Sequence, residues 1–204
     1  MRILALCIVA ALTLSACGTP PAPDASDGEI AVAQHVSDQP PSVTLFTVVR
    51  NSSGAGAHSG LLINGSQRVM YDPAGSWTHP RLPQRGDVFF GMTDKMVSFY
   101  IDYHARETFR VTEQTVPVSQ ATADRLIQLA VGRAPAAKST CTQSMTALLR
   151  AVPEFASVSS TWFPLAAQKS FATLPGATFR TITDNDDDEN HGVLIVQMGD
   201  PRLE

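Results

Sequence analysis

Cysteine is scarce in this 204-residue chain, which has three, at positions 7, 17 and 141. Their spacing matches no zinc site, and no Cys-x-x-Cys redox pair is present. Lysine and arginine, 15 together, are outnumbered by 19 acidic residues and form no cluster, which argues against a nucleic-acid partner. A phosphate-binding glycine loop is also missing. The sequence therefore indicates no cofactor, no metal and no nucleic acid.

The apolar run over residues 3–14 is shorter than the roughly 20 residues that span a bilayer. It follows Met1-Arg2 and leads into small residues, as a signal peptide does. Leu14-Ser-Ala-Cys17 resembles the bacterial lipobox, whose cysteine becomes an acylated N-terminus, for example with palmitate. The resemblance implies a signal peptide over residues 1–16, a lipid on Cys17 and a lipoprotein of the cell envelope. An ordinary secretory signal is the alternative interpretation.

Two further features of the N-terminal part bear on location and domain organisation. In the lipoproteins that this segment resembles, an aspartate directly after the lipidated cysteine is a signal for retention in the inner membrane. Gly18 stands at that position, which favours the outer membrane, on its periplasmic face. Residues 17–42 are rich in Pro, Ala, Ser and Asp without apolar periodicity, which predicts a lipidated cysteine on a disordered tether. Residues 43–204 suffice for a single domain with one core.

Within that domain the apolar patterns predict an α+β fold with helices in the middle and strands at both ends. The pair Asn64-Gly65 favours a tight hairpin, because both residues tolerate a positive φ. Predicted strands cover residues 43–49, 58–63, 68–72, 87–90, 108–116, 178–183 and 192–198. Predicted helices cover 96–103, the segment from Ser119 to Gly132, then 140–152 and 164–174.

Cys141 stands at the start of the third predicted helix. Thr140 and Gln143 have capping-box spacing, which makes Thr140 the N-cap and Cys141 the first helical residue. Unpaired backbone N–H groups at a helix N-terminus favour a thiolate and can also bind an oxyanion. A lone cysteine on an apolar stripe is also common as a small buried hydrophobe. Both interpretations stay open at this point.

A reactive thiol needs an imidazole base and a polar group that orients the ring. His58 begins a strand after a glycine-rich turn, and Asp72 ends the strand paired with it through the hairpin. The two residues are therefore expected at the same end of the hairpin. Asp72, before Pro73, could instead be a turn residue. His79 and His104 are interpreted as structural or surface histidines.

Three segments together resemble a circularly permuted NlpC/P60-type papain-like domain: Ala57-His-Ser-Gly-Leu-Leu-Ile63, Arg68-Val-Met-Tyr-Asp-Pro-Ala-Gly75 and Thr140-Cys-Thr-Gln-Ser-Met145. The resemblance implies a papain-like antiparallel sheet packed against helices. It also implies His58 as the base, Asp72 as the orienting residue and Cys141 as the nucleophile. The segment Asn190-His-Gly-Val-Leu-Ile-Val196 resembles the histidine strand in the unpermuted order, which makes His191 the alternative base.

These observations predict an envelope-anchored lipoprotein with a Cys-His hydrolase-type site, a possible cysteine amidase, peptidase or acyl hydrolase. The resemblance implies an amide or ester substrate, either a peptidoglycan peptide or an acyl group, and a membrane partner through the lipid. The alternative is a non-catalytic envelope lipoprotein that binds its partners with the same fold. A redox role is disfavoured because the domain has no resolving cysteine.

Overall fold

The computed structural model describes residues 24–188 and 190–199, without the side chains of Asn190 and His191. The predicted signal peptide and Cys17 lie outside the described residues. The predicted α+β class is confirmed, because the chain forms a seven-stranded antiparallel sheet with helices packed on it. No helix among the described residues is long and apolar enough to cross a bilayer.

The sheet has the strand order β4-β5-β3-β2-β1-β6-β7, and every neighbouring pair is antiparallel. The central strands are rich in β-branched and aromatic residues, which suit a sheet buried on both faces. The strands are β1 (Ser42–Arg50), β2 (Gly56–Asn64), β3 (Arg68–Tyr71), β4 (Gln84–Arg85), β5 (Val88–Phe90), β6 (Phe109–Pro117) and β7 (Thr178–Thr183). Six of the seven predicted strands are thus present at nearly the predicted bounds.

Helices cover both faces of this sheet. They are α1 (Asp27–Ala33), α2 (Asp94–His104), α3 (Gln120–Val131), α4 (Cys141–Leu149), α5 (Pro164–Phe171) and α6 (Asn190–Met198), with a 3₁₀ turn at Pro153–Phe155. On one face α3, α4 and α5 bury a core that includes Leu45, Leu61, Met145, Leu148 and Phe171. On the other face α2 buries a second core that includes Phe46, Met70, Trp77, Phe89 and Tyr100.

The described part of the predicted disordered tether is instead ordered against the domain. Residues 24–41, named the strap here, include helix α1, which a capping box of Ser26 and Glu29 begins. The strap is fixed by backbone and side-chain hydrogen bonds: Asn64 donates through Nδ2 to the carbonyls of Gln39 and Pro40, both at 3.0 Å. The tether prediction rested on the absence of apolar periodicity, whereas these long-range hydrogen bonds order the strap without it.

The last predicted strand, residues 192–198, is wrong, because the segment forms helix α6. A short continuous apolar run fits either a buried strand or a helix, so periodicity alone could not decide. Tertiary contacts with α2 decide it: Gln197 donates through Nε2 to the Phe99 carbonyl at 3.0 Å and to Asp102 at 2.8 Å.

The hairpin between β2 and β3 is present, but the predicted reason for Asn64-Gly65, a positive φ, is wrong. Its loop covers residues 65–67, and neither Asn64 nor Gly65 has a positive φ. Glycine is needed for space instead, because a Cβ at Gly65 would lie 2.6 Å from Asp124 Oδ1 and 3.1 Å from Ala123 Cβ. Packing against α3 therefore sets the residue type here.

We expect Asn64→Ala to loosen the strap. Asn64 is 4% exposed and makes two hydrogen bonds to strap carbonyls, so its loss should lower the free energy of unfolding by about 1–3 kcal/mol. Limited proteolysis and urea unfolding measure the effect, with faster cleavage expected within residues 24–41. Gln39→Ala is the matched control, because the Gln39 contact to Asn64 uses the backbone carbonyl. Equal stability of both variants would contradict the assignment.

Candidate active site

The site lies where the ladder between β2 and β3 opens. Pairing of these strands begins at Leu61 and Tyr71, so residues 58–60 of β2 are not paired with β3. On the β1 side, the register shifts between Val48 and Val49, which leaves Ala57 as an extra bulged residue directly before His58. Such bulges redirect the side chains beside them. The open edge and the bulge together place His58 where groups from both faces of the sheet can reach it.

His58 is held by a buried carboxylate. Its Nε2 lies 2.6 Å from Asp72 Oδ1, and the Asp72 side chain is fully buried. Tyr100, on α2, donates its hydroxyl to the same Oδ1 at 2.8 Å. Tyr100 thus holds the carboxylate, and the carboxylate holds Nε2 of the imidazole ring. Nδ1 remains as the ring nitrogen that can face another group.

Two glycines leave the space that this carboxylate occupies. A Cβ at Gly60 would overlap the Tyr100 hydroxyl, and a Cβ at Gly75 would overlap the Asp72 carboxylate itself. The Gly75 N–H closes a turn by donating to the Asp72 carbonyl at 3.1 Å, and Ala74 within it has φ +55°. A left-handed alanine is mildly strained, which is typical of backbone next to functional groups.

Cys141 reaches the open edge from the other side, at the start of α4. Its Sγ lies 3.7 Å from Thr142 Oγ1. The interaction with His58, and a smaller one with the backbone of Ser59, lower the pKa of the thiol. The Ser59 and Thr142 hydroxyls are 3.2 Å apart and both residues are fully buried, so α4 is fastened to β2 at this point. The structure therefore brings together Cys141, His58 and Asp72. In the sequence, His58 lies 83 residues and Asp72 lies 69 residues before Cys141.

Thr140 precedes the helix as predicted, but the predicted capping box is wrong. The Thr140 side chain makes no cap hydrogen bond and donates instead to the Ala137 carbonyl at 2.7 Å. Ser139 before it has φ +67°, which turns the chain away from capping geometry. The first helical bond of α4 is Ser144 N–H to Thr140, so the N–H groups of residues 141–143 precede it. Without a cap, these donors stay available for negative charge.

Charge at the site is arranged to favour an ion pair. Burial opposes the charged form of His58, but attraction to Asp72 and Cys141 outweighs it and raises the pKa of His58 to about 10. Burial would likewise raise the pKa of the Cys141 thiol, yet His58 and the hydrogen bonds from Thr142 and Ser59 lower it to about 7. Between these two values the pair is a thiolate beside an imidazolium.

The Asp72 carboxylate keeps the positive charge on His58, and the neighbouring His104 does not compete for it. Burial would raise the pKa of Asp72, but His58, His104 and the Tyr100 hydroxyl lower it, so that Asp72 stays ionised. His104 stacks on His58 with ring centroids 5.5 Å apart and 8° between planes. Burial lowers the pKa of His104 to about 4, so this ring is neutral when His58 is charged. His104 Nδ1 donates to the Tyr100 carbonyl at 2.8 Å, which fixes its tautomer.

Sequence reasoning missed Tyr100 and His104 as neighbours of the site. Tyr100 lies inside the predicted helix 96–103 and His104 directly follows it, and their spacing of one helical turn gives no link to Asp72. Their proximity to the site depends on the packing of α2 on the sheet, which the local sequence does not show. Of the other candidates, His79 is buried against Phe99, away from Cys141. His191 falls on α6, and its side chain lies outside the described residues.

An acidic cluster elsewhere is the one group of metal-ligand type among the described residues. Asp102, Asp184 and Asp186 place carboxylate oxygens within 4.8 Å of one another. Arg106 is paired with Asp102 at 3.1 Å and with Asp186 at 3.3 Å, so a guanidinium already offsets part of this charge. We assign no metal to it. A surface cavity of about 890 Å³ between α1 and residues 78–84 likewise contains neither Cys141 nor His58.

A thiol at an uncapped helix start, an imidazole and a buried carboxylate are the groups of a cysteine nucleophile site, with a base and a residue that orients it. The chain matches no protein-family model, no curated protein and no solved structure. The catalytic roles of Cys141, His58 and Asp72 therefore remain predictions that follow from geometry and charge.

The ion pair predicts a shifted pH profile for thiol modification. Because the pKa of Cys141 is lowered to about 7, iodoacetamide should react at half its maximal rate near that pH, below the about 8.5 of a free cysteine. His58→Ala removes the imidazolium, so the midpoint should rise and the rate at neutral pH should fall. His35→Ala is the control, since His35 contacts the domain through its carbonyl. Superposable profiles for all three proteins would refute the ion pair.

Asp72→Asn tests the carboxylate separately from the ring. The amide keeps the shape but removes the charge that raises the pKa of His58, so His58 should lose its proton at lower pH and the Cys141 thiolate should be less favoured. We expect alkylation at pH 7 to slow by about fivefold, the effect of raising the pKa of Cys141 by one unit from about 7. Asp94→Asn, at an 85% exposed carboxylate paired with Arg68, should leave the rate unchanged.

Proposed function

We propose that the protein is a thiol hydrolase that uses Cys141 as nucleophile, His58 as proton carrier and Asp72 as the group that orients His58. One observation carries the proposal: the imidazole that contacts a fully buried carboxylate at 2.6 Å also interacts with the thiol at the start of α4 and lowers the pKa of that thiol. A merely structural cysteine needs neither an imidazole partner nor a lowered pKa.

The geometry supports a two-step reaction on an amide or ester. The Cys141 thiolate attacks the carbonyl carbon, and the negative charge that develops on its oxygen is stabilised by N–H groups at the start of α4. The His58 imidazolium donates its Nδ1 proton to the leaving amine or alcohol, which leaves a thioester on Cys141. Neutral His58 then takes a proton from water, which attacks the thioester and releases the acid. The thiolate and the imidazolium are restored together.

We further propose that the domain is a circularly permuted papain-like domain of NlpC/P60 type. The chain order His58, Asp72, Cys141 supports this, as does the position of the base on a sheet strand and of the thiol at the start of a helix packed on that sheet. The position of His191 on a helix instead of the expected histidine strand weakens the unpermuted alternative.

The proposed location is the bacterial cell envelope, with Cys17 lipidated and the domain on the periplasmic face of the outer membrane. This follows from the lipobox-like sequence alone. The proposed substrates are peptidoglycan peptides or acyl groups that such a protein could reach. The non-catalytic alternative keeps the fold and the location but assigns no reaction to Cys141, whose exposed fraction is 9%.

Reaction with an activated ester tests the proposal without knowledge of the natural substrate. The protein incubated with p-nitrophenyl butyrate should release p-nitrophenol and carry a butyryl group on Cys141 at short times, as seen in its intact mass. Cys141→Ala should lose the adduct entirely, and His58→Ala should lower its rate of formation by about 100-fold, since positioned acid–base catalysis contributes 10²–10⁴-fold.

Thr146→Val is the matched control for packing, because Thr146 is equally buried on α4 and its hydroxyl donates to the Gln143 carbonyl and not to the thiol. It should retain the adduct. A wild-type protein that stays unmodified while it remains folded would favour the non-catalytic alternative.

A further inference from the structure

The strap joins the domain at the same end of the sheet as the candidate active site. Asp24 accepts through Oδ1 from the Gly86 N–H at 2.7 Å, and the Ala25 N–H donates to the Gln84 carbonyl at 2.8 Å. Gly86 directly precedes Asp87, whose carbonyl accepts from the Asp72 N–H at 2.8 Å. The first described residue of the chain is therefore a near neighbour of the segment that carries the catalytic carboxylate.

From there the strap runs away from the site. The His35 carbonyl accepts from the Arg68 N–H at 2.8 Å, and Arg68 pairs with Asn64 at the far end of β2. Eight residue steps along β2 lead from Gly56 to Asn64, a distance of about 26 Å along the strand. The direction of the strap thus fixes which end of the sheet the preceding chain leaves from.

Little chain remains between that point and the proposed lipid. Six residues separate Cys17 from Asp24, so seven Cα–Cα steps of at most about 3.5 Å reach about 25 Å even when fully extended. Had residues 17–42 been a free tether, the domain could have taken any orientation. A fixed strap holds the catalytic end of the sheet nearest to the lipid.

Exposed apolar side chains lie at this same end. Trp162 is 55% exposed, Phe163 72% and Leu165 38%. They flank Pro164, whose side chain and following N–H would contact a Cβ at Gly56, the first residue of β2. Gly56 is two residues before His58. Tryptophan and other amphipathic aromatics are enriched where a protein meets the headgroup region of a bilayer.

We propose that the catalytic end of the sheet faces the bilayer that holds the Cys17 lipid, with Trp162, Phe163 and Leu165 entering its interface. This inference rests on the lipidation that the proposed function includes. The start of the strap lies beside β4, and the exposed aromatic side chains lie beside β2. Cys141, between them, then faces molecules that are held at the membrane surface.

The two tryptophans of the chain provide the test. Trp77 is 1% exposed, so it reports little on the surroundings, whereas Trp162 is exposed at the proposed contact. The full lipidated chain is reconstituted into vesicles of phosphatidylethanolamine and phosphatidylglycerol, with or without bromine on the acyl chains near the headgroups. Bromolipid should reduce the emission of the wild type, and Trp162→Phe should remove that loss.

A tryptophan moved to the far end is the matched control. Val36 is 64% exposed and follows His35, at the opposite end of β2 from Gly56. In the double variant V36W/W162F, the new tryptophan should be as bright in bromolipid as in plain lipid. Quenching at position 36 equal to that at position 162, no quenching at 162, or an intact mass that reveals Cys17 without lipid would each overturn the proposal.

The orientation and the chemistry can fail separately. Alkylation of Cys141 on the same vesicles reads the thiol and does not depend on bromine contact. Quenched Trp162 with an inert thiol would keep the membrane contact and reject the hydrolase, whereas a reactive thiol with unquenched Trp162 would do the reverse.

Discussion

The buried contact between Asp72 and His58 is the constraint around which this end of the domain is built. A carboxylate with a fully buried side chain must be compensated, and removal of one partner from a buried pair costs about 3–5 kcal/mol. Compensation comes from His58 and Tyr100 at Oδ1, while Oδ2 has no hydrogen-bond partner among the described residues. Both contacts of the carboxylate are therefore made by Oδ1, the oxygen that orients the imidazole.

Backbone features around this contact are explained by the same need. The end of the β3 ladder at Tyr71 frees the edge of β2, and the bulge at Ala57 redirects His58 towards it. Helix α4 then enters the opening with an uncapped N-terminus, so that Cys141 meets both the imidazole and the Ser59 N–H. Each feature leaves backbone hydrogen-bonding groups without the partners that regular strands and capped helices provide. Together they lower the pKa of the thiol where burial alone would raise it.

Much of this could be predicted from sequence, because local patterns determined most elements. The apolar, β-branched run of β1, the Ser119 cap of α3 and the start of α4 at Cys141 all depend on neighbours within a few residues. The hairpin reasoning placed His58 near Asp72 correctly, although space beside Asp124, not positive φ, explains Gly65. The catalytic candidates were therefore found from strand ends and helix starts.

Most of the failures involve contacts between distant segments; the capping box at Thr140 is the exception, because its side chain donates to a nearby backbone carbonyl. The strap looked disordered because its order comes from hydrogen bonds to Asn64 and Gly86, which composition does not reveal. Helix α6 looked like a strand because an apolar run is ambiguous without its partner helix. Tyr100 and His104 join the site only because α2 packs on this face of the sheet. Tertiary structure decided each of these latter cases, as expected where local preference is weak.

The central claim is that His58 carries a positive charge beside the Cys141 thiolate at neutral pH. Nitrogen NMR of the ¹⁵N-labelled His58 ring, followed from pH 6 to pH 11, tests it most directly. The account predicts that both ring nitrogens stay protonated until the pH approaches about 10. A ring that loses its proton near 6.5, the value of an isolated histidine, would contradict it.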